Sequence, residues 1–274
     1  MSYVLTMSIM ESSRQADGRH MALRELGTAC YLGDGFFVTA GHCLEEVPKP
    51  ESFRVLIPTG SSEAGPAPAT SYSIVQFERN TDFDFGIFRV EIDIAAKHSN
   101  LWRSKWSLHE RAPVLTDVLL VGHPHALSAR EFGVYGVRGY KGHIVTMLPH
   151  RLSPDGPPVF CYELSCAVPK GMSGASVHLQ NRKGPNFGSI IGFAIGTKET
   201  AFQMRIEKEV EDDGTSKNTL IRSQIVNYGI AVPCAAVADI RFEMLGVTIR
   251  EYLQRHNLIE TKRRPRLRAP NKPS

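Results

Sequence analysis

This chain reads as an all-β fold of the barrel class, on three observations. Many short β-type runs recur between turn signals, and long helical patterns are scarce. Its 274 residues are 42% hydrophobic, which is ordinary for a globular core. Apolar residues never run on for the roughly 18 positions that a membrane-spanning helix needs, so no membrane span is expected.

The strands can be placed in order. Phe36-Phe37-Val38-Thr39-Ala40 is a strand candidate ending just before Gly41-His42-Cys43. Ser71–Phe77 alternates in polarity, as a half-buried strand should. Gly86–Val90 continues from Asp82-Phe83-Asp84-Phe85. Asp117–Gly122 opens a second half, Phe160–Ser165 precedes a glycine-rich loop, and Ser189–Gly196 follows it. Residues 59–70 form a loop by composition, and the connection between the halves falls around 98–113, near Trp102 and Trp106, which are read as packing residues. Glu207–Lys217 reads as an exposed, solvated hairpin tip. Thr248-Ile249-Arg250-Glu251 matches a capping box. Ile249, Tyr252 and Leu253 then share one helical face, expected to pack on the second half. No internal repeat is visible.

The N-terminus has neither a basic region nor a long apolar stretch, so no secretory signal is read. There are five cysteines, at 30, 43, 161, 166 and 234. An odd number cannot pair fully within one chain, which favours a reducing, cytoplasmic setting. Cys161-x4-Cys166 has half the ligands of a zinc site, but no second pair lies at ligand spacing, so neither metal nor cofactor is expected. The net charge of +4 is unevenly placed. Lys262, Arg263, Arg264, Arg266, Arg268 and Lys272 carry six positive charges, leaving residues 1–261 at −2. Residues 262–274 therefore read as a basic, proline-containing, solvated tail. Nothing aromatic interleaves it, which argues against nucleic acid.

Chemistry concentrates in three motifs. His42 sits in Thr39-Ala40-Gly41-His42-Cys43, Asp84 in Asp82-Phe83-Asp84-Phe85-Gly86-Ile87, and Ser173 in Gly171-Met172-Ser173-Gly174-Ala175-Ser176. A serine hydroxyl is a weak nucleophile at neutral pH; it needs a base, and the base needs an orienting group. Asp82 rivals Asp84, because in an extended stretch both side chains share a face. The other nine histidines carry no such motif, and Gly122-His123-Pro124-His125 is read as a turn.

In their order and their spacing of 42 and 89 residues, these motifs resemble those of the chymotrypsin-like serine peptidases. Tyr228–Pro233 resembles that family's last barrel strand, so the similarity spans roughly residues 20–257. The resemblance implies two six-stranded antiparallel Greek-key barrels with a C-terminal helix. Barrel one would cover about 20–97, barrel two about 114–234 and the helical segment about 235–257, within a peptidase domain of 1–261. It implies His42 as general base, Asp84 as orienting acid and Ser173 as nucleophile, with the Gly171 and Ser173 N–H groups as oxyanion hole. Asp84 is favoured over Asp82 because Phe85-Gly86-Ile87 fits the family pattern after the acid. The primary pocket would be formed by Ala167, Lys170, Ile195, Gly196, Thr197 and Gly229. Ala167 stands where trypsin-like members carry an acid, and Thr197 where a glycine would leave the pocket open. A small-to-medium apolar pocket is therefore expected.

Two departures bear on regulation and redox state. Met172 precedes the serine where zymogen-activated relatives have an aspartate that pairs with a newly cut N-terminus. The site is then either formed constitutively or completed by a protein partner. Secreted relatives bridge the cysteine after the histidine to one on the preceding strand, and Cys30 lies three residues from that partner position. The resulting expectation is a serine endopeptidase acting on protein or peptide substrates, by limited proteolysis of few partners. The alternatives are a catalytically silent module on the same fold and a partner- or nucleic-acid-binding protein that uses its basic tail.

Overall fold

The computed structural model describes residues 6–17, 20–45, 52–58, 69–90, 97–98, 101, 103–108, 112–124, 137–180, 187–210 and 216–260. For Phe187 and residues 201–224 it describes the backbone alone. Trp102, His125, residues 59–68, the 211–215 tip and the 262–274 tail lie outside the described residues.

Strands β1 (Thr6–Arg14), β2 (His20–Gly33), β3 (Phe36–Ala40), β4 (Phe53–Pro58), β5 (Ala69–Asn80) and β6 (Phe85–Val90) close one barrel in the order β1-β2-β3-β6-β5-β4. Strands β7 (Asp117–Gly122), β8 (Arg138–Arg151), β9 (Pro158–Leu164), β10 (Ser176–Gln180), β11 (Phe187–Val210) and β12 (Ser216–Pro233) close the second as β10-β11-β12-β9-β8-β7. The two orders are the same permutation, so one Greek-key plan is used twice. Closure leaves neither barrel with an unpaired edge around its wall. β1 lies ahead of residue 20 and still belongs to barrel one, pairing with both β2 and β4.

Alternation along the strands divides the core in three. Met7, Ile9, Phe37, Phe53, Val55, Ile57 and Phe88 fill barrel one. Val118, Leu120, Ile144, Tyr162, Leu164 and Val177 fill barrel two. The third cluster lies between the barrels, where Val38, Phe85 and Ile87 of the first meet Cys161, Phe193 and Val232 of the second. Phe85 and Phe193 have ring centroids 5.4 Å apart across this seam, and Trp106 packs on Phe193 at 4.8 Å.

After β12 come a single helical turn, α1 (Cys234–Val237), the short pair β13 (Arg241–Phe242) and β14 (Val247–Thr248), and α2 (Ile249–Arg255). The capping box is present: Glu251 N donates to Thr248 Oγ1 at 3.2 Å, and Thr248 N donates to Glu251 Oε2 at 2.8 Å. Ile249, Tyr252 and Leu253 are buried, but the helix is not simply laid on barrel two. Tyr252 donates its hydroxyl to Asp34 at 3.0 Å and meets Phe36 edge-on at 6.0 Å, both in barrel one. The apolar stripe thus caps the seam between the barrels.

Candidate active site

The three motif residues converge on the seam. His42 lies in a 3-10 turn, Gly41–Leu44, which takes up the chain as β3 ends. Asp84 is the last residue before β6, and β6 is hydrogen-bonded to β3, so the two turns are side by side. Asp84 Oδ2 is 2.7 Å from His42 Nδ1, and its Oδ1 accepts from the His42 backbone N–H at 2.7 Å. Asp84 O accepts from Gly41 N at 2.8 Å. Its backbone is left-handed, at φ 45°, a conformation that Asp adopts more readily than most residues. A Cβ on Gly41 would stand 3.0 Å from the Asp84 carbonyl carbon, so glycine is what lets the two turns touch. Asp82 is exposed and makes none of these bonds.

Burial pulls the His42 imidazole down, but the hydrogen bond it donates to the Asp84 carboxylate, aided by Cys43, outweighs it and leaves His42 above the ordinary histidine range. The ring keeps access to solvent, with 41% of its side chain exposed.

Ser173 comes from the loop between β9 and β10. Gly171 and Gly174 bracket it at φ 90° and 85°. A Cβ at Gly174 would overlap Thr28 O and Thr39 Oγ1, so the loop packs on β2 and β3 with no room for a side chain. Thr28 is the residue that fastens the loop to barrel one. Its N–H donates to Ser173 O at 2.7 Å, and its hydroxyl donates to Gly171 O at 2.8 Å while accepting from His123 N at 3.0 Å. Gly174 N donates to Ala194 O at 2.7 Å, which fixes the loop on β11. Ser173 O also lies 3.7 Å from the thiol of Cys43, the neighbour of His42, so the His42 and Ser173 loops abut. The Ser173 hydroxyl points to Ile195 O at 3.5 Å, and among the described residues it has no hydrogen bond to the imidazole. The Gly171 and Ser173 N–H groups have no acceptor among the described residues.

The pocket residues are brought together only in part. Thr197 Oγ1 is held by Val168, accepting from its N–H at 2.8 Å and donating to its carbonyl at 2.9 Å. Gly229 N donates to Cys166 O at 2.9 Å, and a Cβ there would meet Val168 Cγ2 at 2.9 Å. Thr197, Val168 and Gly229 therefore lie together, and the Thr197 hydroxyl is fixed on the Val168 backbone. Lys170 is exposed. Gly196 faces open space, since a Cβ there would meet nothing within 4 Å. A separate cavity of about 220 Å³ adjoins His42, lined also by Arg79, Thr81, Asp84, Leu152 and Ser153 among others.

Met172 is wholly buried in the barrel-two core, its backbone N–H donating to Pro169 O at 3.0 Å. An apolar anchor stands where an ion pair would otherwise hold the loop. All five cysteines are free thiols. Gly27, rather than any cysteine, faces Cys43: a Cβ built on it would overlap the Cys43 sulfur. Sequence reasoning missed Thr28 and Gly27, because a lone Thr and a lone Gly in a strand carry no motif.

No family model and no curated protein matches the chain. Solved structures do. The chain is similar to the HtrA-type protease AlgW with decapeptide, over 95% of this chain and 74% of that one, at 11% identity and TM-score 0.55. It is also similar to the active form of the Rv3671c protease from M. tuberculosis, over 85% of this chain and 78% of that one, at 13% identity and TM-score 0.52. The fold is that of the chymotrypsin-like serine proteases. The two six-stranded barrels and the C-terminal helix stand as the resemblance implied. Among the described residues no helix is long and apolar enough to cross a membrane.

Proposed function

We propose that the chain is a serine endopeptidase. His42 takes the proton from Ser173 as the hydroxyl attacks a peptide carbonyl, and returns it to the leaving amine. Asp84 holds the ring through Nδ1 and stabilises the imidazolium. The Gly171 and Ser173 N–H groups receive the oxyanion of the tetrahedral intermediate, and an acyl-enzyme on Ser173 is then hydrolysed. The observation that carries this reading is the paired His42–Asp84 turn abutting a Ser173 loop bracketed by two positive-φ glycines. For attack, a rotation about the Ser173 χ1 bond takes the hydroxyl from Ile195 O toward the imidazole, a change between staggered rotamers.

The Thr197–Val168 contact supports a preference for small or medium apolar residues before the cut bond. A lysine or arginine head group there would be desolvated without an acidic partner. Gly27 opposite Cys43 and the five free thiols support action in a reducing compartment such as the cytoplasm, by limited cleavage of few protein partners. Met172 supports a loop that needs no new N-terminus to order it.

A fluorophosphonate probe tests the reading. The wild-type protein should be labelled at Ser173, and Ser173→Ala should lose labelling and cut turnover by about 10⁴–10⁶-fold. An intact, folded protein that takes no label and cuts no peptide library would instead be a silent module on a protease fold.

A further inference from the structure

β11 and β12 do not stop where the barrel does. β10 leaves β11 at Phe193, and β9 leaves β12 at Gly229. Beyond those points the two strands continue, paired only with each other, from Thr197↔Gly229 to Val210↔Ser216. Among the described residues no strand pairs with the outer edge of β11 along this ribbon, and Thr197, Lys198 and Glu199 are exposed.

The polarity of that edge can be derived. Gly229 sends its N–H to Cys166 O, away from β11. Its pair with Thr197 is therefore a non-hydrogen-bonded one, and Thr197 turns its own N–H and C=O outward. The register runs without a bulge from Thr197↔Gly229 to Gln203↔Ser223. Alternation then turns Glu199, Ala201 and Gln203 outward as well. The Ile195 carbonyl, two residues before Thr197, already faces the Ser173 hydroxyl at 3.5 Å. The edge thus starts beside the nucleophile at Ile195, in the bulge between Ala194 and Gly196, and runs regularly from Thr197 to the bulge between Gln203 and Arg205. It is about 27 Å long at about 3.4 Å per residue.

Resting on the endopeptidase reading, we infer that the stretch of this edge beyond Thr197, from Glu199 to Gln203, lengthens the acyl-side subsite and takes the substrate chain as an added antiparallel strand. β11 runs away from Ser173 as its numbers rise. An antiparallel partner with its cut bond at Ser173 therefore lays its N-terminal, acyl-side residues along the ribbon. Matching Ile195, Thr197, Glu199, Ala201 and Gln203 at every second residue engages about nine acyl-side residues. The substrate is accordingly an unfolded or extended protein segment read largely through its backbone, and a folded surface loop of three or four residues is a poor one.

The test uses valine p-nitroanilides carrying three, five, seven, nine or eleven acyl-side residues of alternating Ser and Ala. In the full-length protein kcat/KM should rise at least tenfold from three to nine residues and level off by eleven. N-methylation of the fifth or seventh residue from the cut should remove the gain, while methylation of the sixth should not. Joining Thr200 to Val226 through Asn-Gly, a turn suited to a two-residue hairpin, should bring the nine-residue substrate down to the rate of the three-residue one. Glu199→Pro, which removes one outward N–H and no ladder bond, should do so partially while keeping the full ribbon. A flat length series with probe labelling of Ser173 intact overturns this inference alone. So does a methylation effect without two-residue periodicity, or a ribbon-dependent dimer seen by sedimentation together with a flat series. Absence of both labelling and hydrolysis overturns the endopeptidase reading and this one together.

Discussion

Asp84 makes four contributions at once, and they come from one residue with an uncommon backbone. Its carboxylate spans the His42 ring and the His42 N–H, its carbonyl holds Gly41, and its positive φ turns the chain into β6. Asn can adopt the same φ and keep the bond to the His42 N–H, but it no longer supplies the charge. Asp84→Asn should therefore fold like the wild type and lose turnover by about 10⁴-fold. The pH profile provides an independent check. Asp84 raises His42, and the base works only when neutral, so the acid limb of kcat/KM should lie above pH 6.5 and move down in the variant. For stability the sign is opposite: a raised histidine contributes fully below its unfolded value and loses that contribution as pH rises through the folded one. Chemical denaturation of Asp84→Asn and wild type should accordingly differ most below pH 6.5. An acid limb that does not move would remove Asp84 from the site.

At the scale of elements, short segments do the joining. The 3-10 turn carrying Glu243 and Met244 is tied to barrel one by Glu78, whose carboxylate accepts from Glu243 N at 2.7 Å and Met244 N at 2.5 Å. α2 has seven residues, too few to be stable by propensity alone, so its cap and its buried face must hold it. Thr248→Ala removes the acceptor for Glu251 N and should cost about 1 kcal/mol. Scanning calorimetry should show a melting temperature lower by about 2–4 °C, the shift expected for a domain of this size. The strands β3, β6 and β7 were legible nearly to the residue, because each is a short apolar run that follows a turn. The reach of β11 to Val210 was not, since charged residues such as Glu207 and Glu209 read equally well as a solvated tip.

Across the whole molecule, the stretch from Lys105 to Ser107 acts as a clasp. Ile190 N donates to Lys105 O and Ser107 N to Ile190 O, both at 2.8 Å, joining it to β11. Trp106 N donates to Leu258 O at 2.7 Å and Glu260 N to Trp106 O at 2.8 Å, joining it to the chain beyond α2. Trp106 itself is 2% exposed and sits in the seam cluster. Trp106→Ala should cost about 3–5 kcal/mol, as large aromatic truncations in a packed core do. Because the seam positions both site loops, activity in the variant should fall in parallel with loss of the folded fraction in a urea titration. A melting temperature within a degree of wild type would show that the barrels are held elsewhere.

By itself the sequence determined the fold class and marked the candidate catalytic residues. Strand-length apolar runs between turns mark an all-β chain, and His42, Asp84 and Ser173 stand out because each lies in a short motif whose neighbours are constrained for local reasons. Only the tertiary structure decided how those loops are fastened. Thr28, Gly27 and Thr197 act through partners more than a dozen residues away, at Gly171, Cys43 and Val168, and a single residue in a strand carries no mark of a distant contact. The repeated barrel plan came from the family resemblance and not from the residue pattern, for the same reason. Strand order is a matter of which edges pair, and different apolar residues, such as Phe37 in one barrel and Leu120 in the other, fill equivalent interiors equally well.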